Sequence, residues 1–338
     1  MTARHALPDP PGPPALGRER LLWVYAAGPL LLAVALSDHL LAGGAWQALF
    51  TQAPAALPFY GVVFGFPHVL ASFFLLGDKA LARAAAPVLV PAAAAAVALT
   101  ALAWWLLDSR ELALALIVST MVHVLGQQSG LAVGQAGLAR PSSGGPLRWW
   151  PRWLPRVWRG LLAATGCATA MALGGESRVQ VVAEPVFWLQ CANVALLLST
   201  LLAGVLSYHA HRQGGDVRAL LALQGTVLLG QGLVLAGYPL LGIWLFRLVH
   251  DVTAFLVYAA LANARARVAP GANRLYAVMR LPAQRPGLLL WPLATLLTGL
   301  LAVVAPLAVF VALTWLHYLA EHRLWRGASG LRRHLTMA

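Results

Sequence analysis

Charge is scarce in this chain. Of its 338 residues, 10% are charged and 60% are hydrophobic. That balance excludes an ordinary soluble domain and fits a protein that crosses a membrane many times. Polar stretches are short as well. The longest loops run to roughly twenty residues, below the size of an independent domain. Cysteine is nearly absent: Cys167 and Cys191 lie in apolar segments without CxxC spacing. This argues against a disulfide framework or a cysteine metal site, and both read as small buried residues. Acidic residues are outnumbered, 11 against 24 Lys and Arg, for a formal charge of +13. Such an excess can mark a nucleic-acid-binding face. Here the arginines fall between apolar runs, the positive-inside distribution, so no nucleic-acid partner is expected. No repeat of the soluble type is visible.

What remains is a succession of apolar runs. Ten spans are expected, over 21–41, 58–77, 85–107, 111–135, 159–175, 186–208, 218–237, 239–262, 287–304 and 306–324. The expected fold is all-α, a polytopic integral membrane helical bundle forming one domain over 21–325. A disordered cytoplasmic tail at 1–20 precedes it and a basic tail at 326–338 follows. The first run is long enough to be a retained span rather than a signal peptide. Arg4, Arg18 and Arg20 precede it, and Lys79 and Arg83 follow the second span. Arg140, Arg148, Arg152, Arg156 and Arg159 come after the fourth, Arg212 and Arg218 after the sixth, and Arg265, Arg267, Arg274, Arg280 and Arg285 after the eighth. Alternate loops are thus basic, which places both termini in the cytoplasm of a bacterial inner membrane. One long kinked helix over 287–324 would give nine spans. Pro306 and the tail arginines Arg323, Arg326, Arg332 and Arg333 favour a hairpin there. The stretch RWWPRWLPRVWR at 148–159 interleaves Arg with Trp, a composition suited to the headgroup interface and anionic lipid.

Four histidines lie near the middle of apolar runs: His68, His123, His250 and His317. An ionisable side chain in hydrocarbon is costly and needs a partner, and imidazole is the commonest metal ligand. Counted from Pro58, Glu111, Pro239 and Pro306, the four lie 10, 12, 11 and 11 residues in. That is roughly 15–18 Å deep, near the bilayer midplane, on spans of one direction. Convergence of all four on one metal ion is the expectation. A bis-histidine haem is the next reading, and a hydrogen-bonded core histidine is the plain alternative for each one alone. Gln127, one turn after His123, is expected to fix that imidazole's tautomer. Arg247 and Asp251 flank His250 at i,i+4; they neutralise one another, or Asp251 orients a ligand. Glu321 follows His317 by one turn, near the cytoplasmic end, where it and His322 read as interfacial. His209 and His211 read as a solvated helix end. Gly126, Gly130 and Gly134 have the spacing for close packing of the fourth span or a flat cavity wall.

Several of these segments resemble the Brp/Blh family of membrane β-carotene 15,15′-dioxygenases. Gly65-Phe66-Pro67-His68 is similar to the family's G-[LF]-P-H segment. Val122-His123-Val124-Leu125-Gly126 resembles its second histidine helix. The proline-led Tyr238-Pro239-Leu240-Leu241, running to Leu248-Val249-His250, is similar in layout to its third region, and Leu316-His317-Tyr318 to its final one. The resemblance covers roughly 58–325, with the first span as an addition. It departs from the family at Ser72 and Gln127, where acidic residues are usual, and at Ala254, where a second histidine is usual. The resemblance implies Fe(II) held by histidines, dioxygen as co-substrate, and cleavage of a carotenoid or similar apolar polyene dissolved in membrane lipid, for β-carotene yielding retinal. Neutral imidazoles with open positions on the metal suit such an oxygenase. Two other function classes fit the same residues. One is an ion- or proton-coupled transporter using the histidines with Arg247 and Asp251. The other is a haem-binding electron-transfer subunit.

Overall fold

The computed structural model describes residues 18–50, 63, 65–138, 153–176, 184–279 and 285–324. The segments 1–17 and 325–338 of the expected tails, and the expected start of the second span at Pro58, lie outside these residues. Among the described residues every regular element is helical. The first helix, α1 (Ala27–Leu41), continues a helical turn at Arg18–Trp23 through a 3-10 turn. It is followed by α2 (Phe66–Phe74), α3 (Lys79–Leu106), α4 (Ser109–Gln135) and α5 (Leu154–Glu176). Next come α6 (Pro185–Arg212), α7 (Arg218–Leu235) and α8 (Pro239–Val268). The last two are α9 (Leu290–Val304) and α10 (Leu307–Leu324). Seven helical stretches are long and apolar enough to cross a membrane: Glu19–Leu41, Lys79–Leu106, Glu111–Gln135, Pro185–Arg212, Arg218–Leu235, Pro239–Val268 and Pro286–Val304. The chain is an integral membrane helical protein. The run 287–324 is not one helix, because Ala305 is extended and Pro306 follows it.

The helix starts follow from local chemistry. Asp78 caps α3, its Oδ1 accepting from the backbone N–H groups of Ala80 and Leu81 at 2.8 and 3.2 Å. Asp108 and Glu111 form a reciprocal capping box at the start of α4, satisfying two backbone donors that would otherwise be open. Pro87 and Pro91 lie inside α3; a membrane helix tolerates them because neighbours and local adjustment satisfy the freed carbonyls.

The described residues gather into two compact units, and the division falls within α8, between His250 and Asp251. The unit containing α4 to α7 and the first part of α8 packs Met121, Leu125, Trp158, Leu162, Leu206, Leu220 and Phe246 into one core. Two amides on α7 stitch it together. Gln224 accepts from Trp158 Nε1 at 3.0 Å and donates to Thr200 at 2.9 Å. Gln231, two turns on, accepts from Thr169 at 2.8 Å and donates to Asn193 at 2.9 Å. Such bonds hold membrane helices together where lipid supplies no hydrophobic drive. In the same unit Asp38 accepts from the backbone of Trp46 and Gln47 and from the Tyr238 hydroxyl.

The expectation of an interfacial Arg/Trp segment is corrected over its described part. Trp153 is exposed, but Trp158 is fully buried, and Arg159 Nη2 donates to Gly126 O at 3.1 Å. This segment opens α5 and turns one face into the core. Close helix packing is not seen at the glycines of the fourth span. A Cβ on Gly126 or Gly134 would meet nothing within 4 Å, which leaves the expectation of a flat wall standing, and one on Gly130 would meet the Arg159 side chain at 3.6 Å. The close approach is instead between α7 and α8, where a Cβ on Gly242 would collide with Gly230 O and one on Gly230 would reach Phe246 at 2.5 Å.

The other unit contains α2, α3, the second part of α8, α9 and α10. Its core holds Phe66, Leu70, Phe74, Leu81, Phe255, Tyr258, Leu261 and Leu290. Asp78 and Asn273 form an isolated backbone bridge, and Arg265 donates to Asp78 Oδ2 from Nε and Nη2 at 3.0 and 2.7 Å. Two loops expected on one side of the membrane, after the second and eighth spans, therefore meet.

Gly242→Val should destabilise the protein by about 1–3 kcal/mol, the usual cost of overpacking, and Gly134→Ala should leave stability unchanged or slightly raised. Thermal unfolding in detergent measures both. Equal melting temperatures for Gly242→Val and wild type would contradict the close α7–α8 contact.

Candidate functional site

His68 is the third residue of α2. Pro67 precedes it in the first turn, where a missing N–H costs nothing because no intrahelical acceptor waits for it. Trp291 Nε1 donates to Val63 O at 2.6 Å, which ties the entry of α2 to α9. His68 is buried, and its Nδ1 lies 3.0 Å from Oδ1 of the buried Asp251 on α8. Asp251 therefore stands beside a histidine, one of the two roles expected for it. The His317 ring of α10 stands edge-on to that of His68, with centroids 4.9 Å apart and planes at 76°.

The surroundings of His317 fix its tautomer. Ser72, one turn after His68, has its Oγ 2.6 Å from Val69 O and 3.0 Å from His317 Nδ1. A carbonyl oxygen can only accept, so the single hydroxyl proton goes to Val69. Ser72 then accepts from Nδ1–H of His317, and the lone pair of that imidazole is on Nε2. Nε2 faces Oε2 of Glu321, one turn further along α10, at 3.4 Å. A lone pair opposite a carboxylate is repulsive unless positive charge lies between them. Either a proton or a metal ion meets that need. The gap exceeds the usual 2.7–3.2 Å of an N–H···O bond. Two metal–ligand bonds of about 2.1 Å at a near-tetrahedral angle span ~3.4 Å. The geometry at Glu321 therefore fits a metal ion, and the unit offers two imidazoles and two carboxylates as donors.

Glu321 is buried, which corrects the interfacial reading; α10 turns it inward onto its own His317. Tyr258, Ser72, Phe73, Leu89, His317 and Glu321 line a crevice of about 40 Å³ in the same unit. A single water needs ~10–15 Å³, so the crevice admits molecules the size of water or dioxygen up to the His317–Glu321 pair.

The other unit holds the second histidine pair. His123 on α4 and His250 on α8 stand edge-on with centroids 5.1 Å apart and planes at 78°. His250 is buried and His123 half-buried. Gln127 is half-buried one turn along α4, and Arg247 lies one turn before Asp251 on α8. His250 and Asp251 are consecutive, so one helix carries a member of the second pair and the partner of His68.

The depth count is unchanged for His250, 11 residues after the first residue of α8, and for His317, 11 after Pro306. It is not reproduced for His68, because the described helix begins at Phe66. His209, expected at a solvated helix end, is buried and accepts from Gln213 Nε2 at 2.9 Å; His211 beside it is exposed. Both cysteines are unbridged and half-buried. Sequence reasoning passed over Ser72, reading it as a departure from a pattern, although a hydroxyl one turn from a buried histidine is itself a signal. It also passed over the buried Asp78–Arg265 pair. No family model, curated protein or solved structure matches this chain.

The tautomer is open to direct measurement. Two-bond ¹H–¹⁵N spectra of histidine-labelled, metal-free protein should show His317 protonated at Nδ1. Ser72→Ala should remove that preference and lower stability by about 1 kcal/mol, the typical net worth of one hydrogen bond. Protonation of His317 at Nε2 alone in the wild type would contradict the assignment.

Proposed function

We propose that this chain is a membrane-embedded non-haem iron oxygenase acting on a carotenoid or similar lipid-soluble polyene. β-Carotene cleaved to retinal is the substrate to test first. The observation that carries this reading is the buried His317–Glu321 pair, whose 3.4 Å separation suits a shared cation, with the buried His68–Asp251 pair in the same compact unit. Two histidines with one carboxylate and open coordination positions is the ligand arrangement of non-haem Fe(II) oxygenases. The segments Gly65–His68, Val122–Gly126, Tyr238–His250 and Leu316–Tyr318, which resemble the Brp/Blh family, support the same class. Fe(II) bound by these residues would supply dioxygen activation.

The roles of the chain's own residues follow from their contacts. His317 binds through Nε2, with Ser72 holding the tautomer that leaves its lone pair there. Asp251 orients His68. Glu321 supplies the anionic donor, and its burial strengthens its hold on a cation. The crevice beside Tyr258 gives a small apolar molecule access while its walls exclude bulk water. A polyene would enter sideways from lipid, between helices. His123 and His250 form the second histidine pair, within the other unit. In this reading three further helical segments, Phe66–Gly77, Leu154–Glu176 and Leu307–Leu324, also cross the bilayer and bring the count to ten. Both termini are then cytoplasmic, in a bacterial inner membrane, as the arginine distribution supports.

A second reading, proton-coupled transport, draws on one observation. Each of His68 and His317 faces a carboxylate, and such pairs can also share and pass a proton.

Metal analysis separates the two. Purified protein should carry one iron per chain without a Soret band, and His68→Ala and His317→Ala should lose at least nine-tenths of it. Equal losses in His123→Ala and His250→Ala would extend the site to all four histidines; retention there would confine it to His68, His317 and the carboxylates. Full iron in all four folded variants would refute the site, and wild type free of metal would favour transport. In β-carotene-producing cells, expression should bleach the pigment and release retinal. Unchanged pigment beside iron-loaded protein would rule out that substrate.

A further inference from the structure

A second polar site lies away from the histidines. Asp78 is saturated: Oδ1 accepts from Ala80 and Leu81, and Oδ2 accepts from Nε and Nη2 of Arg265. The guanidinium is not saturated: among the described residues its buried Nη1 has no hydrogen-bond partner, and neither does the Tyr276 hydroxyl. Both residues are only 8% exposed. Both line one cavity of about 150 Å³, together with Leu81, Ala262 and Asn273. Asn273 is held in place, since its Nδ2 donates to Phe74 O and its Oδ1 accepts from the Tyr276 backbone. Burial, and then the charge of Asp78, push the Tyr276 phenol well above its usual range, so it keeps its proton and can donate.

Two buried donors in the wall of one cavity cost free energy until a small turn of either side chain brings it to an acceptor there. The charge around them selects its sign. Lys79, Arg83, Arg267, Arg274 and Arg285 are exposed on the same two loop regions, while the carboxylate of Asp78 is already neutralised. The cavity is far larger than the ~10–15 Å³ one water needs. An anion with several oxygens can take the Arg265 and Tyr276 donors together, as guanidinium and phosphate commonly pair.

We propose that this cavity binds a phosphate group through Arg265 Nη1 and the Tyr276 hydroxyl. The carrier is an anionic phospholipid headgroup or free phosphate. For a lipid, the apolar wall formed by Leu81 and Ala262 lies against its hydrocarbon. Nothing in this site depends on the histidines or on iron.

The test uses the full chain in phosphatidylcholine nanodiscs, with phosphatidylglycerol or inorganic phosphate added and binding read by native mass spectrometry. Wild type should retain phosphatidylglycerol over phosphatidylcholine at least tenfold, or bind inorganic phosphate. Displacement of the lipid by inorganic phosphate identifies the phosphate alone as the ligand. Retention against it identifies the headgroup with its chains. Either outcome supports the site. Tyr276→Phe removes one oxygen and keeps the packing, and should weaken binding about five- to tenfold with an unchanged melting temperature. Arg265→Lys keeps the charge against Asp78 but loses the fork, and should weaken it at least as much. No preference for phosphatidylglycerol together with no phosphate binding would mean a water-filled cavity and overturn the proposal. So would unchanged affinity in folded Tyr276→Phe.

Discussion

A carboxylate or imidazole withdrawn from water into an apolar bundle must find its counterpart within the protein, and much of this molecule is arranged around that requirement. Asp251 and Glu321 are held against His68 and His317. Asp78 is held by Arg265 and by two backbone N–H groups. Asp38 takes three donors, from Trp46, Gln47 and Tyr238. None of these acids faces solvent. With so few acidic residues in the chain, Asp251, Asp78 and Asp38 each join positions distant in sequence, while Glu321 pairs along its own helix. Hydrophobic contact cannot do this alone, since lipid tails are as apolar as leucine.

The sequence made some of this legible. Apolar runs and proline or acidic starts located most of the helices, because a membrane span needs about twenty apolar residues and leaves a plain compositional trace. The break at Ala305–Pro306 was readable for the same reason. His317 was singled out among the four histidines, and its ring lies edge-on to that of His68.

Other features left no such trace. Whether Glu321 was interfacial or buried depended on how α10 is rotated, and one helical turn is the whole difference. Trp158 and Arg159 were read with their aromatic and basic neighbours, yet their rotation within α5 directs them into the core and onto α4. The glycines of the fourth span showed that small-residue spacing alone does not say what fills the space. At Gly242 the filler is the Gly230 backbone, at Gly230 it is the Phe246 ring, and at Gly130 it is Arg159. Gln224 and Gln231, seven apart on α7, carried a readable signal of one polar helix face, but their partners on α5 and α6 came only with the fold.

The chemistry of the histidine site turns on what occupies the space between His317 Nε2 and Glu321. Ser72 settles which nitrogen carries the lone pair, because Val69 O can accept a proton and cannot give one. A proton placed in that gap would make an imidazolium–carboxylate pair, and such a pair closes to ordinary hydrogen-bond length when nothing holds it apart. The two groups sit one turn apart on the same helix, so rotamer changes alone could bring them closer. They remain at 3.4 Å, a separation that suits two bonds to a common cation. An acid in place of Ser72 would also take the Nδ1 proton, but it would add a third negative charge to a unit that already buries Asp251 and Glu321. The serine fixes the same tautomer without that charge.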